Sequence, residues 1–108
     1  MILKDVFYTE IELEKGDFNE FVDKGWYALN MHIAYPDEEI GGNGFLDWAR
    51  DLCWIEQKHV VIVIKGKVND DTLKEIEFLD DFWERRFYEL GTDLEEEKQV
   101  DFIIVNNN

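Results

Sequence analysis

Apolar and polar positions alternate from Val6 through VFYTEIEL to Leu13. Phe7, Thr9, Ile11 and Leu13 share or border one face, which predicts a half-buried strand. Gly16 breaks that pattern. Asp17 is placed to cap a helix through DFNEFVDKGWYALN, with Phe18, Phe21 and Val22 on one side. Gly25 leaves two readings open: the helix continues, or it ends early and residues 26–35 form a second strand. Pro36 stops regular structure, and PDEEIGGNG reads as a loop. Residues 45–55 (FLDWARDLCWI) place Leu46, Ala49, Leu52 and Cys53 at helical spacing, with Asp47 and Asp51 four apart on one face. Residues 59–64 (HVVIVI) are continuous, apolar and β-branched, the pattern of a strand buried on both faces. A turn over 68–71 precedes the longest predicted helix, 72–90. Its stripe is Leu73, Ile76, Leu79, Trp83, Phe87 and Leu90, and Gly91 suits its C-terminal cap. Residues 92–98 read as charged loop, residues 100–105 as a final apolar strand, and Asn106 to Asn108 as a frayed tail.

Two continuously apolar strands joined by a long helix imply a right-handed crossover, so 59–64 and 100–105 should be parallel neighbours. The expected fold is a single α/β domain over residues 1–108, with a small, largely parallel sheet of about three to four strands flanked by helices.

Charge changes this picture from a generic α/β domain to a specialised one. Twenty-six Asp and Glu stand against 11 Lys and Arg, a net charge of −15 in 108 residues. Disordered acidic tails have few aromatics, whereas 15% of this chain is aromatic, including four Trp and eight Phe. The expectation is therefore a folded core under a strongly negative surface. Such a surface repels nucleic acid and anionic membranes and attracts basic proteins. Cys53 is the only cysteine, so no intramolecular disulfide forms, in keeping with a reducing, cytoplasmic setting. MILKDVFYTEIELEK turns acidic too soon for a signal peptide, and no apolar run reaches the roughly 18 residues of a membrane span.

Catalytic and cofactor chemistry is thin. His32 and His59 lack motif neighbours, and with a lone cysteine no zinc-ligand spacing exists. Cys53 falls on the expected inner face of its helix, the place of a small buried hydrophobe rather than a nucleophile. The glycines of IGGNG do not follow a strand and open a helix in the manner of a dinucleotide or phosphate loop. The expectation is no enzyme, no catalytic residues, no metal and no cofactor.

The segment from Ile40 to Trp54, IGGNGFLDWARDLCW, presents Gly41, Asn43, Asp47, Trp48, Asp51, Leu52 and Cys53 in that order. It resembles the signature of the barstar family of ribonuclease inhibitors, in which a Gly-x-Asn turn opens a helix rich in Asp, Trp and Leu, often with a Cys near its end. Ile40 stands where that family carries a tyrosine. The strand and helix before the segment, and the strand, long helix and strand after it, match the family's order. The resemblance implies a three-stranded parallel sheet flanked by helices, and an inhibitor that plugs a nuclease site.

The expected partner-binding surface is Gly41, Gly42, Asn43, Asp47, Trp48, Asp51, Trp54 and Glu56. Asp47 and Asp51 would imitate phosphate toward the Arg, Lys and His of a basic nuclease, and Trp48 or Trp54 would supply an aromatic anchor. The plain alternative is that Asp47 and Asp51 form a solvated face and the tryptophans pack the core. The leading function is an immunity protein or antitoxin that blocks a basic nuclease or toxin without touching nucleic acid itself. Two other classes compete with it. A phage-type anti-defence protein or DNA mimic needs carboxylates in two long rows rather than one compact patch. A small regulatory domain would bind its partner through an exposed sheet edge.

Overall fold

Val60, Ile62 and Ile64 are fully buried on alternate positions of one strand, and the rest of the chain is arranged around them. In the computed structural model, which describes residues 5–34, 42–89 and 98–106, this strand is β2 (His59–Gly66), the centre of a three-stranded sheet. β1 (Val6–Leu13) and β3 (Gln99–Asn106) flank it, and both pairings are parallel, with Val6 opposite His59 and His59 opposite Gln99. The described helices are α1 (Phe18–Ala28), α2 (Met31–Ala34), α3 (Gly42–Ala49) and α4 (Asp70–Glu89). The parallel adjacency of β2 and β3 across a long helix agrees with the sequence reading, and the described residues form three strands.

The chain steps in one direction across the sheet, β1 to β2 to β3. Right-handed crossovers that keep stepping the same way put their helices on the same face. Ile11, Leu13, Val60, Ile62, Ile64 and Val100 accordingly join Phe21, Trp26, Phe45, Ile76, Leu79 and Trp83 in one apolar cluster. The other face is covered only in part among the described residues: Val63 is buried there at 7% exposed, so the expectation that β2 is buried on both faces holds at Val63 and not along the whole strand. There Val61 is only half-buried, while Tyr8, Ile103 and Val105 are exposed. Cross-strand pairs lie among them: Lys65 meets Glu10 at 2.8 Å and His59 meets Asp101 at 2.8 Å. The Lys65 ammonium, and the Tyr8 hydroxyl that donates to the same carboxylate, hold the Glu10 carboxyl below its ordinary range.

The open question resolves, over residues 26–34, as two helices joined by a turn; residue 35 lies outside the described residues. α1 runs through Gly25 and ends at Ala28; Asn30 then takes the left-handed conformation (φ 59°), which suits a residue just past a helix end, and α2 follows. Gly25 is a packing residue rather than a helix stop. A Cβ there would lie 2.7 Å from Phe45 Cζ and 2.8 Å from its Cε2, and Phe45 is fully buried with its ring edge-on to Phe21 at 5.4 Å. Gly25→Ala would raise helix propensity, yet it is expected to lower stability by about 1–3 kcal/mol through overpacking. A urea titration would show the midpoint falling; a rise would mean the Phe45 ring moves aside at no cost.

Residues 45–55 are not one helix. α3 stops at Ala49, Arg50 and Asp51 form a turn, and buried Leu52 adopts φ 53°. The Ala49 carbonyl, which would continue the helix, and two carbonyls beyond the turn have tertiary partners. Trp83 Nε1 donates to Ala49 O at 2.8 Å, and Lys98 Nζ donates to Leu52 O at 2.9 Å and also to Ile55 O. Cys53 consequently lies on the exposed side of the turn, not on an inner helix face.

Candidate protein-binding surface

The ends of a parallel sheet are the usual places for ligands, above all the carboxyl ends of the strands. Here that end is closed by the chain itself. Glu20, in the first turn of α1, accepts the backbone N–H groups of Glu14, Lys15 and Gly16 at 2.8–2.9 Å, and Lys24 pairs with it at 3.0 Å. Gly16 needs its φ of +81°, and a Cβ there would meet Lys67 O at 2.7 Å. Its carbonyl receives the hydroxyl of buried Thr72 at 2.8 Å and the N–H of Asn69 at 2.9 Å. Those N–H groups would cradle an anion in a phosphate-binding loop; here an internal carboxylate occupies them. Partial burial works against the Glu20 charge, but the N–H groups and the Lys24 ammonium outweigh it and hold the carboxyl at about 2.

The residues expected to form one binding surface divide between two places. Gly41 lies outside the described residues. Gly42 and Asn43 open α3. Asp47 projects from α3 with its side chain 68% exposed and pairs with Arg50 one turn on. Asp51 is exposed in the turn after the helix, so the two carboxylates do not share a helical face. Trp48 and Trp54 are half-buried and pack edge-to-face, ring centroids 6.4 Å apart. Trp54 Nε1 also donates to Leu29 O at 2.8 Å, closing the end of α1. Tryptophan N–H groups thus cap the ends of both α1 and α3, through Trp54 and Trp83. Exposed Glu56 and Trp54 line a cleft of about 330 Å³ at the amino end of the sheet, together with Phe7, Asn30 and Ile33.

Asp47 belongs instead to a groove between α3 and α4, about 410 Å³, lined by Leu46, Asp47, Arg50, Glu75 and Phe78. Leu46 and Phe78 are its apolar surfaces, and Phe78 is 50% exposed. The Arg50 guanidinium stands over the rings of Phe78 and Phe82, 5.9 and 5.8 Å from their centroids. Glu75 and Phe78 were absent from the sequence expectation. Phe78 is the readable signal: it lies off the Leu73–Ile76–Leu79–Trp83 stripe, so the helical period already turns it toward solvent.

Desolvation by its surroundings and the neighbouring Asp51 carboxylate push the Cys53 thiol up, so it stays protonated at neutral pH and is a weak nucleophile. Among the described residues no cluster of three His, Cys, Asp or Glu could hold a metal ion. No described helix is long and apolar enough to cross a membrane. Comparison with family models, with curated proteins and with solved structures finds no match to this chain.

Proposed function

We propose that this protein is a proteinaceous inhibitor of the immunity or antitoxin kind, which binds a basic nuclease or toxin through the α3–α4 groove and blocks it. The observation that carries the reading is the groove itself: an exposed aromatic and an aliphatic side chain edged by the carboxylates of Asp47 and Glu75, on a chain of net charge −15. Interface hot spots combine such an anchor with charge partners around it, and complementary charge speeds encounter. The barstar-like kinship belongs to the same proposal. It is supported by the three-stranded parallel sheet, by Gly42 and Asn43 opening α3, and by Asp47 and Trp48 on that helix.

A DNA mimic is the weaker alternative. The solvent side of α4 aligns exposed Asp70, Glu77, Asp81 and Glu84, but Lys74 interrupts that row and Arg85 pairs with Asp81 at 3.1 Å. It is one broken row, where a duplex presents two.

The test is inhibition of RNA cleavage by a panel of small basic ribonucleases. Equimolar protein is expected to abolish cleavage by at least one of them, with an association rate that falls steeply as salt rises. Asp47→Ala is expected to weaken that inhibition about tenfold, because a charge-assisted bond to the partner is lost, while leaving the fold unchanged as judged by circular dichroism. Asp51→Ala, in the turn, should have the smaller effect. Full cleavage by every enzyme in the panel would remove the inhibitor reading.

A further inference from the structure

The α3–α4 groove already holds a guanidinium, and it is the chain's own. Arg50 pairs with Asp47 and lies over Phe78 and Phe82, so the carboxylate most exposed to a partner is partly neutralised from within. We propose that Arg50 is an internal stand-in for an arginine of the basic partner, displaced when that arginine enters the groove. This rests on the reading of the α3–α4 groove as the partner-binding surface, and it names what the groove recognises.

Two features select a guanidinium over an ammonium. The Phe78 ring offers half its area to solvent as a stacking platform, and a planar guanidinium stacks on an aromatic face better than a compact, strongly hydrated ammonium. Asp47 and Glu75 both line the groove, which suits a donor with several N–H groups in a fixed fork. The groove, about 410 Å³ with Arg50 as part of its wall, lets an incoming side chain enter beside Arg50 before taking its place. Giving up the Asp47 pair costs little, because that carboxylate is 68% exposed and surface ion pairs contribute little. Arg50 then acts as a threshold: a single weak cation does not dislodge it, whereas an arginine delivered by a docked basic surface does.

The experiment is calorimetric titration of the intact protein with two probes of equal charge, a tetra-arginine and a tetra-lysine peptide. The parent is expected to bind tetra-arginine the more tightly. Arg50→Gln is expected to tighten tetra-arginine binding about fivefold and tetra-lysine binding by less. Because this substitution also makes the chain more negative, Arg85→Gln is the charge-matched control, its arginine paired with Asp81 on the exposed side of α4. Phe78→Ala is expected to erase the preference for arginine. If Arg50→Gln tightens binding no more than Arg85→Gln does, or weakens it, or if Phe78→Ala keeps the preference, Arg50 is not a stand-in and the proposal is overturned. The peptides contain no ribonuclease, so failure here leaves the inhibition assay standing, and failure of inhibition leaves the peptide result standing.

Discussion

Trp83→Ala is expected to destabilise the protein by about 3–5 kcal/mol, the largest effect of any single change considered. Trp83 is 1% exposed and sits between α4 and the sheet in the apolar cluster. Truncation opens a cavity in a close-packed interior, and the surroundings relax only partly. It also removes the donor to Ala49 O, leaving a carbonyl unsatisfied at the end of α3. For a domain whose total stability lies in the range of about 5–15 kcal/mol, this approaches the whole margin. Trp83→Phe separates the two contributions: it keeps most of the volume and loses the hydrogen bond, and should cost about 1–3 kcal/mol. Urea denaturation followed by circular dichroism measures both. A loss below about 1 kcal/mol for Trp83→Ala would mean that α3 and α4 are not tied as described.

Glu20→Gln should cost about 2–3 kcal/mol at neutral pH, and the cost should depend on pH. The native carboxyl is held at about 2 against an ordinary 4.5; at roughly 1.4 kcal/mol per unit this sets an upper bound of about 3.5 kcal/mol, reduced because Gln keeps one oxygen able to accept the same N–H groups. Above pH 4.5 the carboxyl is ionised in both states and its stabilisation is fully present. As pH falls below 4.5 the unfolded chain binds the proton first, which favours unfolding, and the contribution is gone once pH passes the native value near 2. Gln has no such titration. The stability gap between parent and variant should therefore be constant from pH 7 to about 5 and close between 4.5 and 2. The difference is the quantity to follow, because protonating the other carboxylates of this acidic chain also relieves self-repulsion and raises stability in both proteins. Urea midpoints collected against pH give the gap directly; a gap unchanged down to pH 2 would show that the Glu20 charge is not its source.

Much of this fold is written locally. β1 covers the alternating residues read as a strand, β2 and β3 match the two apolar runs, and α4 matches the long stripe to within two residues at its start. These elements were legible because a single face, or two, must be buried, and the period of burial appears in the order of residues. Asp17 as the cap of α1 was legible for the same reason: its side chain accepts the N–H of Glu20 three residues on, a contact within one turn.

The parts that could not be read depend on residues far apart in the chain. Gly25 left the length of the helix open because glycine usually weakens a helix; only the Phe45 ring, 20 positions away, explains its place inside α1. The helix expected over 45–55 is cut at Ala49, where Trp83 takes the Ala49 carbonyl and Leu52 turns left-handed, with Lys98 holding the carbonyls of Leu52 and Ile55 beyond the turn, and nothing near those residues announces such partners. That cut separates Asp47 from Asp51, turns Cys53 outward and divides the expected site, placing Asp47 with Glu75 and Phe78, and Trp54 with Glu56. By itself the sequence determined the three strands and α4, the parallel β2–β3 pair and the acidic character, since these follow from short-range periodicity and composition. The tertiary structure alone decided which helix ends are capped, which face of the sheet is covered only in part and which carboxylate shares a groove with an exposed aromatic, since these depend on contacts between residues that only the folded chain brings together.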